Sequence, residues 1–395
     1  MRLRVPFYYN DFHCITDRCN DNCCVGGWEI DIDEETYDYY MSLSGELGET
    51  IRNSIVTSED GEHMFKLNNG HCPLLLDSGL CKVHAELGEE HLGVVCSQFP
   101  RYSEYFGEYK ESGIGLACEE AARIVLSANE KFSLVESELD EEVVEDSEFD
   151  KEYADIIFAA RDIIFKILEK KELLIHERLA CILELSDKMQ DLINEDDYEG
   201  LNALISSYDQ SDVETTLMSI NREYEDGRFD SLSETEGIRS IIYAYEDMEV
   251  LNEEWERDIK DVVFKFHEAL TIEEYYTYNS RFFALIQERM DEYKNLLQYF
   301  VFRYFAKAIY DHDVLSKAKM LVTNFFVIKE MDMAKWIDKG WNFTHEDQLD
   351  VIHVFSRQVE YSEENMEVLY EAFIFDEIFE KDNLMGLLWI DSVSI

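Results

Sequence analysis

DIIFAARDIIFKILEKKELL, Asp155 to Leu174, decides how most of this chain folds. Ile156, Phe158 to Ala160, Ile163, Ile164 and Ile167 recur at three- and four-residue intervals, which lays them along one broad face of an α-helix. Lys170 and Lys171 suit the C-terminal end of such a helix, where the backbone dipole favours positive charge. The same spacing returns in IHERLACILELSDKMQDLI (Ile175–Ile193), WERDIKDVVFKFHEAL (Trp255–Leu270) and EEYYTYNSRFFALIQERM (Glu273–Met290), and Leu296–Ile328 holds room for two further helices. No proline follows Tyr153 to break them. Residues 153–395 therefore read as an all-helical domain, a long bundle or array without a fixed repeat period.

Upstream the texture changes. All three prolines and 12 of the 17 glycines lie in the first 118 residues, so turns and irregular backbone concentrate there. EIDIDEETYDYYMSL (Glu29–Leu43) begins with apolar and acidic alternation and then turns helical; EHMFKLNNG (Glu62–Gly70) reads as a strand entering an Asn-Gly turn. GIG at Gly113–Gly115 reads as a turn, and no glycine-rich strand-to-helix unit for a dinucleotide is found. ESELDEEVVEDSEFDKE, Glu136 to Glu152, has few large apolar residues and reads as a linker or a solvated helix start. The expected fold is mainly α: a small irregular α+β, Cys-rich N-terminal metal or cluster domain at 1–135, an acidic linker at 136–152, and the helical domain at 153–395.

Charge narrows the function. With 35 Lys and Arg against 87 Asp and Glu, the net charge of -52 repels phosphate backbones and anionic lipid, which argues against nucleic acid and membrane surfaces as partners. Such acidity is ordinarily a solvated surface or an adaptation to salt; its functional reading is attraction of a cationic substrate. MRLRVPFYYNDFHC lacks the apolar core of a signal peptide, and QYFVFRYFAKAIY (Gln298–Tyr310) is too short and too charged, at Arg303 and Lys307, to span a bilayer. The expected compartment is the cytoplasm, where thiols stay reduced.

That expectation bears on the cysteines. Cys14, Cys19, Cys23, Cys24, Cys72, Cys81, Cys96 and Cys118 crowd the first third, while Cys181 sits alone in ERLACILEL among apolar residues and reads as core. Independent burial does not explain such clustering. Disulfides suit neither the compartment nor the adjacent Cys23 and Cys24. Ligation does: crowded thiolates repel one another unless a cation compensates them, and soft sulfur suits zinc or the iron of an iron-sulfur cluster. Eight thiols supply one four-cysteine site with spares, or two. His13, His71, His84 and His91 lie near enough in sequence to replace a cysteine, although each alone is more often a surface or supporting residue. Ligand type does not separate zinc from iron-sulfur, and the C-x3-C-x2-C spacing of radical enzymes that use S-adenosylmethionine is not matched.

Cys19, the Cys23-Cys24 pair, CPLL at Cys72–Leu75, CKVH at Cys81–His84 and CSQFPR at Cys96–Arg101 together resemble the CxxCxxCC class of zinc- or iron-chelating domains. YYNDFHC, CCVGGWEI and the helical NLLQYFVFRYF, taken with them, look like the flagellin lysine-N-methylase family over most of the chain. The leading spacing differs from the class name, and either Cys14 or Cys19 fills its first position. The resemblance implies methylation of flagellin lysine side chains in the cytosol, with S-adenosylmethionine as methyl donor and an iron-sulfur cluster (4Fe-4S) on the cysteines; zinc is the alternative metal. A non-enzymatic zinc- or iron-binding module with a helical docking platform is the competing reading. Methyl transfer needs the neutral amine, whereas free lysine has a pKa of about 10.4, so the site must desolvate the ammonium or supply a base. YDYY (Tyr37–Tyr40) and EEYYTY (Glu273–Tyr278) offer acidic, tyrosine-rich surfaces for a cationic lysine, or are ordinary helix faces.

Overall fold

The Asp150 carboxylate accepts hydrogen bonds from the backbone N–H groups of Glu152 and Tyr153 and so starts a helix, Lys151–Leu168, four residues earlier than the apolar spacing suggests. The guanidinium of Arg178 donates to the carbonyls of Leu168 and Leu173, which satisfies the end of that helix and the turn after it. Lys170 and Lys171 thus lie beyond the helix rather than in its last turn. The buried row is Tyr153, Ala154, Ile157, Ala160, Ile164 and Leu168, while Phe158 is half-buried and Ala159 is exposed. The computed structural model describes residues 1–26, 28, 30–58, 60–143, 146–228 and 234–393, with backbone only at 234–236 and 392–393.

The chain is 65% helical and mainly α, with small sheets and irregular elements near its N-terminus. Ile175–Asn194, Met290–Tyr304 and Val314–Asp338 fall where the apolar spacing places helices. Trp255–Leu270 instead divides into a helix, Glu253–Val262, and a wider π turn, Val263–Glu268. Val314–Asp338 is the central helix and is buried on nearly all sides, against the helices Ile175–Asn194, His345–Val359 and Glu363–Phe375. Its polar residues therefore need partners inside the protein. Lys329, wholly buried, contacts Glu330 at 3.0 Å and Asp391 at 3.0 Å, and Asp391 also binds His176 Nε2 at 2.7 Å. No helix among the described residues is long and apolar enough to cross a membrane.

Seven strands are described: β1 (Arg2–Pro6), β2 (Asp31–Ile32), β3 (Ile55–Thr57), β4 (His63–Phe65), β5 (Arg101–Phe106), β6 (Tyr109–Ile114) and β7 (Leu134–Glu138). One sheet has the order β5-β6-β1-β7, with β1 parallel to β6 and antiparallel to β7; the other has the order β2-β4-β3. The Asn-Gly turn after β4 is present, with Asn69 and Gly70 both at positive φ. GIG is not a turn. Gly113 and Ile114 end β6, paired with Tyr102 and Arg101, and the Tyr102 ring occupies the space a side chain at Gly113 would need. Glu136 to Glu138, read from composition as the start of a linker, form the end of β7 along Arg2, Leu3 and Arg4.

Two hydrophobic cores result. The small one gathers Ile30, Ile32, Tyr40, Leu47, Ile51, Phe65, Leu74 and Val83. The large one joins the helices to Tyr8, Phe12, Phe106, Tyr109 and Ile114, so the four-stranded sheet packs with the helical region. Glu111 of β6 receives two hydrogen bonds from Arg161, at 2.6 and 2.7 Å, with both side chains buried. The cysteine-bearing loops lie around the small core and against this sheet-helix body.

Candidate functional site

Cys14, Cys19, Cys23, Cys24, Cys72, Cys81, Cys96 and Cys118 all line one cavity of about 270 Å³. Backbone pairing gathers one group: Cys72 N donates to Cys24 O at 2.7 Å, Cys81 bridges to Leu75, and Lys82 N donates to Leu74 O at 2.7 Å. Asn22 braces the Cys23-Cys24 turn, accepting from Cys24 N at 2.8 Å while its amide donates to Gly79 O at 2.9 Å. Cys96 enters from the short helix Val94–Gln98, fixed by the hydrogen bond from Val94 N to Asp33 Oδ2. The other group gathers around Glu119, which is 8% exposed. Its carboxylate accepts from Asn20 N at 2.9 Å and from the Cys19 thiol at 3.6 Å, and it follows directly on Cys118.

His13 and His84 also face the cavity. His71 and His91 do not line it, and His91 stacks on Tyr39 with ring centroids 4.8 Å apart. Cys181 lies fully buried in the large core, apart from the other eight. No cysteine is in a disulfide. Among the described residues, no three His, Cys, Asp or Glu side chains converge as a ready single-ion site.

Burial is the main cause that pushes the thiols of Cys19, Cys96 and Cys118 up to about 12. Burial also raises Cys14 and Cys81. Cys24 hydrogen-bonds with Cys23 and Cys72; this raises its own pKa and lowers theirs, to about 7 at Cys72. Binding to a metal would displace protons from most of this wall.

The cavity is fastened to the helical body. Asp21, between Cys19 and Cys23, accepts a hydrogen bond from His353 Nε2 at 2.6 Å and pairs with Arg357. Arg357 lies over the Trp28 ring, 5.0 Å from its centroid, and Trp28 packs on Phe99 and Tyr361. Arg123, beside Glu119, reaches Glu346 at 2.6 Å. Asp21, Trp28, Glu119, His353 and Arg357 were not legible as site residues from the sequence. Asp21 and Asn22 at least stand inside the cysteine run, but nothing local marks His353 or Arg357.

A helical body closes one side of a cavity walled by eight thiols, a donor set of the kind that soft metals favour. Residues 161–387, more than half of the chain, match the model of the FliB lysine N-methylase C-terminal domain, and the chain belongs to that family. No curated protein and no solved structure matches it. The matched stretch holds His353, Arg357 and Tyr361 but none of the eight clustered cysteines.

Proposed function

We propose that this chain methylates lysine side chains of flagellin, taking the methyl group from S-adenosylmethionine, and that its eight-cysteine cavity holds an iron-sulfur cluster. The observation that carries the cluster is the meeting of all eight thiols around one cavity, fastened to a domain of the lysine N-methylase family. Its ligands would be drawn from Cys23, Cys72, Cys81 and Cys96, which lie near one another, and Cys24, which is paired through its backbone with Cys72, while Cys14, Cys19 and Cys118 complete the wall. When bound, the cluster supplies one-electron chemistry. Phe12, Trp28, Phe65 and Phe99 give the same cavity apolar walls, which would favour the neutral amine over the ammonium. Bound S-adenosylmethionine would supply the methyl group, and the apolar walls would present the lysine to it as the neutral amine. The acidic surface draws the cationic substrate toward the protein.

The competing reading, a zinc-braced module without catalysis, draws on the cysteines lying outside the matched residues. Anaerobic purification followed by iron, sulfide and zinc analysis separates the two. The same preparation is then incubated with S-adenosylmethionine and flagellin, and methylated lysines are read by mass spectrometry. Iron with sulfide and added methyl groups is the expected result; stoichiometric zinc with unmodified flagellin overturns the proposal.

A further inference from the structure

The wall of the cysteine cavity carries a cation that the thiols do not explain. Arg101 is the only Lys or Arg among the described residues that line it. Its guanidinium carbon lies 5.0 Å from the centre of the Phe12 ring and 5.9 Å from that of Tyr9, and Phe12 is itself a buried wall residue. The backbone beneath is fixed: Arg101 opens β5 opposite Ile114, and the Pro100 carbonyl accepts from Gly115 N at 2.8 Å. Among the described residues no oxygen accepts a hydrogen bond from this guanidinium and no carboxylate pairs with it. Ring contacts hold the group in place and leave its N–H fork for an acceptor from outside the chain.

The anions of the wall itself lie elsewhere. Asp21 is taken by His353 and Arg357, Glu120 contacts Arg123 at 3.4 Å, and Glu89 is exposed. The cation that acts on a thiol is Arg357, at Cys23; Arg101 is not among the main causes that shift any of the eight. In a chain with 87 Asp and Glu, this half-buried arginine is thus left without a countercharge. A planar guanidinium matches a carboxylate through two parallel hydrogen bonds. A lysine substrate brings no anion to it, whereas S-adenosylmethionine carries one anionic group, the α-carboxylate of its methionine end. We infer that Arg101 binds the methyl donor by that carboxylate, at the Phe12 side of the cysteine cavity. The inference rests on the proposed use of S-adenosylmethionine as donor. A bidentate contact fixes the direction of the methionine end as well as its affinity, which holds the donor in one pose.

The test titrates the anaerobically purified full chain, by calorimetry, with two probes. One is S-adenosylhomocysteine; the other is S-adenosyl-3-thiopropylamine, the same thioether without the carboxylate. The wild type is expected to bind the first about tenfold or more tightly than the second, as charge-assisted hydrogen bonds do. Arg101→Met keeps an apolar stem and is expected to lose that difference, binding the first probe as weakly as the second and the second as the wild type does. Arg101→Lys, which keeps the charge without the fork, is expected to recover only part of it. Metal content and thermal unfolding of Arg101→Met are expected to match the wild type. Equal affinities for both probes in the wild type, or an undiminished preference in Arg101→Met, overturn the inference alone. Loss of metal, or of affinity for both probes alike, also overturns it, because the residue then only supports the wall. A wild type that binds neither probe counts against the donor itself, and the inference falls with that reading.

Discussion

Asp21 and His353 are 332 residues apart in sequence and 2.6 Å apart in space, which fastens the loop between Cys19 and Cys23 to the helix His345–Val359. Arg357 joins the same carboxylate. Replacing Asp21 by Asn would leave the nearly buried Arg357 without its countercharge and remove the carboxylate that His353 Nε2 binds, a change that costs about 2–4 kcal/mol with the partly exposed Asp21 taken into account. Asp21→Asn is therefore expected to unfold at lower denaturant and to retain less iron per chain. Wild-type iron content and wild-type unfolding would show that the fastening does not matter.

Cys72→Ser and Cys96→Ser each remove a thiol from the cavity wall, while Cys181→Ser alters only the large core. Metal analysis of anaerobically purified protein is expected to show reduced iron in the first two and wild-type iron in the third. Equal metal content in all three variants would refute the proposed ligand group.

The Glu111–Arg161 pair ties β6 to the helix Lys151–Leu168 from within the large core. Truncating one partner leaves the other charged and buried, so Arg161→Leu is expected to cost about 3–5 kcal/mol. Denaturation of the single variants and of Glu111→Leu/Arg161→Leu checks this, with the double variant recovering part of the loss.

At Asp391 the prediction concerns pH. Its folded pKa of about 2 lies below the ordinary value of 3.8, so its contribution is full above the unfolded pKa and fades as pH falls from about 4 through 2. Asp391→Asn is expected to destabilise by about 3 kcal/mol at pH 7, because Lys329 loses one of its two buried carboxylate partners and keeps only Glu330. The gap between wild type and variant, measured by denaturation, should narrow below pH 4. A constant gap from pH 7 to pH 2.5 would contradict the assignment.

The helices were legible because a 3.6-residue period is a local property, and the Asn69-Gly70 turn because its chemistry sits in two adjacent residues. Gly113 was misread for the opposite reason: its need for glycine comes from the Tyr102 ring on a paired strand, which no window around GIG contains. The eight cysteines announced themselves by density, but their grouping depends on the pairing of Cys24 with Cys72 across the chain. His353 and Arg357 sit in an ordinary amphipathic helix pattern, and only the fold brings them to Asp21. The cysteine list could thus be read early, while the residues that hold the cavity to the helical body could not.

The tether at Asp21 also sets an order of assembly. During synthesis all eight cysteines leave the ribosome well before His353 and Arg357 do, so the proposed cluster, if inserted on the nascent chain, would meet a loop whose anchor has not yet been made. On that proposal durable loading would belong to the finished polypeptide. A ribosome-bound chain ending at residue 340 is expected to lose iron to a chelator faster than the released protein does.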